Sequence, residues 1–354
     1  MNQKGFAKVI LVIIVTMLIG ASAYYVFVKR SAPASIVSGQ NYLITTVIKI
    51  SSTGSSGGGN KEQYFSVFNV NGVLLKTLNV PSDLMTGMAN NVKVLGGNIY
   101  YMSGTRQITS IGAIDIQTGQ SKILNFTKTN NTNPGNTLYA IIDWDVSIDN
   151  SKIAWLNTDG QISVANTDGS NVQTYNIGTF KPISNKIKFV DRYLYFDTYN
   201  SLERISLNTG SFDTVINDFW PDIYAISDSG KYIAYYTYSG GSTKQFVIKN
   251  TGSNSKYIVP EVTDVLQTTF SPNESRLTLS QFEGPGTKIQ SITLDLTNSK
   301  KLYSAGDSPI VVGYISDTRI VVSTDKGLEI TDLDGSNTKR LNDNEYFVGI
   351  LKAK

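Results

Sequence analysis

The chain contains no cysteine and no histidine. Without cysteine it can form no disulfide, zinc ribbon or iron–sulfur cluster, and it has no thiol nucleophile. Without histidine it has no imidazole base, no Ser-His-Asp triad and no His-ligated metal. Chemistry built on carboxylates or tyrosine stays open. Proline is scarce, with 9 in 354 residues, which permits long strands. Charged residues make up 17% and hydrophobic residues 40%, a globular balance. The net charge of +3 misleads: Lys4, Lys8, Lys29 and Arg30 sit in an N-terminal stretch without acids, and without those four, 27 basic residues face 28 acidic ones. A near-neutral body lacks the basic footprint of nucleic-acid binding, so no nucleic-acid partner is expected.

One long hydrophobic run is present. Residues 9–28, VILVIIVTMLIGASAYYVFV, carry no charge over 20 positions. At ~1.5 Å per residue a helix of that length spans roughly 30 Å, the hydrocarbon thickness of a bilayer. Tyr24 and Tyr25 stand near one end, where interfacial aromatics belong, and Lys29 and Arg30 follow at once. Residues 1–8 are then a cytoplasmic flank, 9–28 a transmembrane helix or signal anchor, 29–40 a linker and 41–354 the body. Ala21-Ser22-Ala23 has the small-x-small form of a signal-peptidase site, but the apolar run continues through Val28, which favours an uncleaved anchor. The opening KGFAKVILV resembles the start of a type IV pilin, cut between Gly5 and Phe6; pilins carry Glu where this chain has Ile10. The positive-inside count is nearly tied, and a short N-terminal flank places the body on the extracytoplasmic side of the cytoplasmic membrane, in the cell envelope.

The body repeats itself. SIDNSKIAW (147–155), SDSGKYIAY (227–235) and SPNESRLTL (271–279) each set a Ser before a polar turn, then Lys or Arg, then a β-rich run. Recurrence at this spacing marks a repeat architecture. Asn-Gly, Asp-Gly and Thr-Gly pairs punctuate the chain as hairpin turns. A four-strand unit fits best in VLQTTFS (265–271), RLTLSQF (276–282), IQSITLDL (289–296) and KKLYS (300–304), with similar units starting near residues 87, 138, 183, 219 and 308. The first unit shows only three strands, 42–50, 63–70 and 73–80, while the chain ends with a strand left over at 345–353. That strand can complete the first unit and seal a ring. The expected fold is all-β: a propeller of four-stranded antiparallel blades, seven favoured and six or eight compatible with the spacing, preceded by the transmembrane helix.

The repeat resembles the TolB-like, or WD40-like, β-propeller repeat, whose pattern runs S-P-D-G-K-x-I-A-Y and later D-x-D-G-S. SDSGKYIAY (227–235), TFSPNESRLTL (269–279) and DLDGSNTKRL (332–341) carry it, and ANTDGSNVQTY (165–175) matches its second half. The resemblance implies the propeller fold and leaves function open, since such propellers serve as binding modules, protease domains and scaffolds.

Motifs with possible chemistry reduce to turns. Asp332-x-Asp334-Gly335 lacks the further oxygens and final Glu of a calcium loop. SIDNSKIAW is similar to a sialidase Asp-box, with Ser151 where that motif wants Gly. STGSSGGGN (52–60) is followed by no Lys-Ser/Thr in register and reads as a hairpin tip. No metal, cofactor or catalytic residue is assigned. Binding candidates are Phe219, Trp220, Tyr238 and Glu283 on the loop face between second and third strands and between blades, with Asp143 and Asp145 flanking Trp144 on an inner strand facing the channel. The expected function is a membrane-anchored, extracytoplasmic binding or scaffold module whose partner is a protein or envelope ligand. The alternative is a hydrolytic, carbohydrate-active propeller using Asp or Glu at the channel.

Overall fold

In the computed structural model, 28 strands among the described residues form seven four-stranded antiparallel sheets. The structure describes residues 41–51, 60–79, 92–105, 108–124, 141–157, 160–177, 186–198, 200–239, 243–262, 264–284, 286–295, 299–303, 309–341 and 345–351. The proposed transmembrane segment 9–28, its flank 1–8, the linker 29–40 and the glycine-rich tip lie outside them. No helix among the described residues is long and apolar enough to cross a membrane.

Each blade is a meander of four consecutive strands, except the first. There the late strand Glu345–Leu351 pairs antiparallel with Tyr42–Ser51, which continues to Asn60–Asn69 and Leu74–Asn79. The leftover strand therefore takes the inner position and closes the ring, as the strand pattern requires. Closure is tight. A Cβ on Gly349 would come within 2.8 Å of Val94, on the inner strand of blade two.

The core lies between neighbouring sheets. Blades two and three bury Tyr100, Ile111, Trp144 and Ile153 together, and blades five and six bury Tyr236, Phe246, Leu277 and Leu279. A single blade cannot cover both faces of its own sheet, so each stabilises its neighbours and the edges are limited to short outer strands.

The recurring Ser motif is one turn built three times. Ser147, Ser227 and Ser271 are each bonded twice to the residue five positions on: the Ser amide donates to the carbonyl of Lys152, Tyr232 or Arg276 at 2.9, 2.9 and 3.0 Å. Each hydroxyl accepts from that same residue's amide at 2.8, 3.1 and 3.0 Å. The residue three on from Ser adopts positive φ: Asn150 at 61°, Gly230 at 73° and Glu274 at 54°. Asp149 and Asn273 complete two of the turns, accepting from Ser147 Oγ at 2.6 Å and Ser271 Oγ at 2.8 Å. Those bonds, led by the Ser147 hydroxyl, hold the Asp149 carboxyl below its ordinary pKa.

These turns also reach sideways. The Tyr100 hydroxyl of blade two donates to Asn150 Oδ1 at 2.5 Å, the Ser229 amide of blade five donates to Glu274 at 2.6 Å, and the Asn273 amide of blade six donates to Asp317 at 2.8 Å. One motif thus sets both the hairpin and the spacing between blades. The D-x-D-G-S turns work locally. Asp168 and Asp334 accept from the amides of Ser170 and Ser336 at 2.9 and 2.8 Å, and Asp332 pairs with Arg319 at 2.8 Å.

Candidate functional site

The inner strand of blade three, Ile141–Val146, alternates as strands do, with Trp144 on one face and Asp143 and Asp145 on the other. Trp144 is fully buried and meets Tyr100 edge-on at 6.5 Å. The two acids turn toward blade four. Asp143 Oδ2 accepts from the Ile187 amide at 2.8 Å, and Asp145 Oδ2 accepts from the Phe189 amide at 2.8 Å. Acids two residues apart meet amides two residues apart, because both strands share the two-residue period. The inner strand Ile187–Val190 thereby gains side-chain acceptors from blade three.

The network extends in both directions. Lys93, on the inner strand Val92–Leu95 of blade two, pairs with Asp145 Oδ1 at 3.7 Å. Lys188 of blade four donates to the Ile226 carbonyl of blade five at 2.5 Å. Burial, acting against ionisation, holds the Asp143 carboxyl above its ordinary pKa, although Lys93 and the Ile187 amide pull the other way. Burial alone would lower the Lys93 pKa; Asp145 and Asp143 more than offset it, and the ammonium titrates above its usual range.

These residues line a cavity of about 830 Å³ on the ring axis, walled by residues from the inner strands of all seven blades. Its charged side runs through blades two to five. Blade six presents Gln267 and Thr269, and blade seven presents Gly313 and Tyr314. The Tyr314 hydroxyl bonds to Thr278, and burial raises its pKa.

The other candidates lie elsewhere. Phe219 is 2% exposed, edge-on to Tyr224 at 5.1 Å and tilted against Tyr235 at 5.8 Å, so it belongs to the core of blades four and five and presents no surface. Trp220 opens the inner strand of blade five, half-buried against the core of blades five and six, with the Lys244 ammonium 5.9 Å from its ring. Tyr238 stands on the neighbouring strand Tyr232–Ser239, opposite Lys244. Glu283 ends the second strand of blade six and pairs with Lys288 at 3.5 Å, beside the exposed Phe282. The fold thus brings Asp143 and Asp145 together on the axial cavity and places Trp220 and Tyr238 on neighbouring strands of blade five, outside the residues that line it.

The sequence pattern alone does not single out Lys93, Lys188 or Gln267. A signal for one of these three, Lys188, is nonetheless present. Lys186-Ile187-Lys188 repeats the alternation of Asp143-Trp144-Asp145 with opposite charge, one blade further on. Two such triplets at matching places in successive inner strands mark residues that share the axis.

No protein-family model matches the chain, and no curated protein sequence matches it. Among solved structures, hydrazine synthase of Kuenenia stuttgartiensis is similar at a TM-score of 0.51 and 13% identity, over 72% of this chain and 79% of the other. A Bacteroides fragilis protein provisionally named a 6-phosphogluconolactonase is similar at 0.51 and 13%, over 87% and 97%. TolB of Acinetobacter baumannii superposes at 0.46 and 15%, over 87% and 83%, and no conclusion is drawn from it. At these identities the likeness establishes one thing: the described body is a β-propeller.

Proposed function

We propose that this chain is a membrane-anchored, extracytoplasmic propeller that acts as a binding or scaffold module. Residues 9–28 hold it in the cytoplasmic membrane, and its partner is a protein or a ligand of the envelope. One observation carries the binding reading. The acids on the channel wall, Asp143 and Asp145, each accept a backbone amide of the next blade at 2.8 Å, so they brace the frame. The recurring Ser, Asp and Gly positions do the same for the turns. Polar residues that recur build a rigid platform, and the residues that differ between copies, on loops and channel wall, are the ones able to recognise a partner.

A hydrolytic reading draws on the raised pKa of Asp143, the direction of shift a general acid needs. Its engagement with the Ile187 amide weighs on the side of a structural role.

The test uses the full chain in bacterial membranes. The chain should resist alkaline extraction, and protease added to spheroplasts should digest the propeller. Release of the chain by alkali, or its protection from protease, would overturn the anchoring or the orientation. Turnover of glycosides or peptides that disappears in Asp143→Asn would replace the binding reading with the hydrolytic one.

A further inference from the structure

The axial cavity, about 830 Å³, falls within the range of small-molecule sites, roughly 300–1,000 Å³. Its charges alternate in sign around the ring: Lys93 on blade two, Asp143 and Asp145 on blade three, Lys186 and Lys188 on blade four, Asp228 on blade five. Cations and carboxylates are equal in number. Several already hold the frame, through the Lys93–Asp145 pair, the two amides of blade four and the Ile226 carbonyl. An ammonium carries three N–H donors and a carboxylate about four lone-pair sites, so such groups can still offer a hydrogen bond inward. The facing wall is neutral but also mixed, since the Gln267 amide both donates and accepts, and Thr269 brings a hydroxyl.

A ligand with net charge would meet as many like charges as opposite ones and would lose its hydration on entry. A hydroxyl donates and accepts from the same atom, so it can bridge a carboxylate and an ammonium. Half-buried Tyr224 and Phe270 line the same cavity beside the polar groups. Resting on the binding-module reading above, we infer that the channel takes an uncharged, hydroxyl-rich ligand, a short saccharide. Gln267 and Thr269 recognise it on the neutral wall, against the charged wall of blades two to five.

Calorimetry on the full chain in detergent tests this, with maltotriose, cellotriose and chitotriose as neutral probes and glutamate, lysine and glucose 6-phosphate as charged ones. At least one trisaccharide should bind, and the charged solutes should not. Gln267 is exposed to the channel, so Gln267→Ala should leave the thermal midpoint in place while weakening binding about tenfold, the loss of one or two hydrogen bonds. Thr269→Val should weaken it similarly, and Phe282→Ala, on the outer surface, should not. Binding of charged solutes alone overturns the proposal, as does saccharide binding that survives Gln267→Ala and Thr269→Val together. Absence of saccharide binding in a chain that still passes the membrane tests overturns this ligand and leaves the anchored module standing. Cleavage of the bound trisaccharide would uphold the site and overturn the non-hydrolytic reading of the module.

Discussion

The Asp145 carboxylate holds the Phe189 amide at 2.8 Å across the gap between the third and fourth blades, while its other oxygen faces Lys93 of the second. One side chain thus ties three blades. Its role is separable from its charge, because an amide oxygen can accept the same bond.

Asp145→Ala should therefore destabilise the propeller by about 2 kcal/mol, since it leaves a backbone donor and a lysine without their acceptor. Asp145→Asn should lose less, because it keeps the bond to Phe189 and gives up only the ion pair. Urea midpoints of the two variants check the order; equal losses would mean that the ion pair, and not the amide bond, dominates.

Asp143 makes a prediction about pH. Its folded pKa lies above the unfolded value, which is about 4 for Asp. Between those two values the folded chain binds more protons than the unfolded one, so the contribution of Asp143 to stability falls as pH rises through the window. Below the unfolded pKa the penalty is absent, and above the folded pKa it is complete. Asp143→Asn should gain stability relative to the native chain as pH rises through mildly acidic values, then hold a constant difference. Parallel thermal-midpoint curves for the two proteins would contradict this.

Asp149 should behave in the opposite sense. Its pKa is depressed, chiefly by the Ser147 hydroxyl, so its contribution is present above the unfolded pKa and fades as pH falls through the folded value. The stability gap between the native chain and Asp149→Ala should be widest near neutrality and shrink in acid. A gap independent of pH would assign the effect to packing.

Gly230 has φ of 73°, and a Cβ there would sit 2.8 Å from Val190 Cγ1 of blade four. Gly160 has φ of 78° with nothing within 4 Å. Gly160→Ala should cost about 1 kcal/mol from backbone strain alone. Gly230→Ala should cost about 2–3 kcal/mol, because the clash between blades adds to the strain. Chemical denaturation of the two variants side by side measures the difference, and equal costs would show that blades four and five can part without penalty.

The strands were legible because their alternation is local. The run 265–271 appears as Val265–Phe270, and 276–282 appears as Arg276–Glu283. The third strand of that blade is less well read, at Gly286–Thr293 against an expected 289–296, because Gly286 extends the hairpin further than its composition suggests. Ring closure was legible too, since one strand was missing at the start and one was in excess at the end. The site was legible only in part. Asp143 and Asp145 could be placed on an inner strand, but their partners, the Ile187 and Phe189 amides, are backbone groups that no residue type advertises. Composition places Phe219 on a loop, beside Asp218 and Pro221; in the fold the positive φ of Asp218, 60°, precedes a ring that packs into the core. Whether an aromatic beside a turn faces in or out depends on such a backbone detail.

The pairing of Glu345–Leu351 with Tyr42–Ser51 also fixes an order of events. Ribosomes deliver the chain from its start, so blade one stays one strand short while the six blades that follow are made. Its partner strand presents an unsatisfied edge for the whole of that time, and through any export of the chain across a membrane. The last strand of the ring to be delivered works as its latch. A chain stopped before residue 345 would hold six full blades and three strands of the first and still lack a closed propeller.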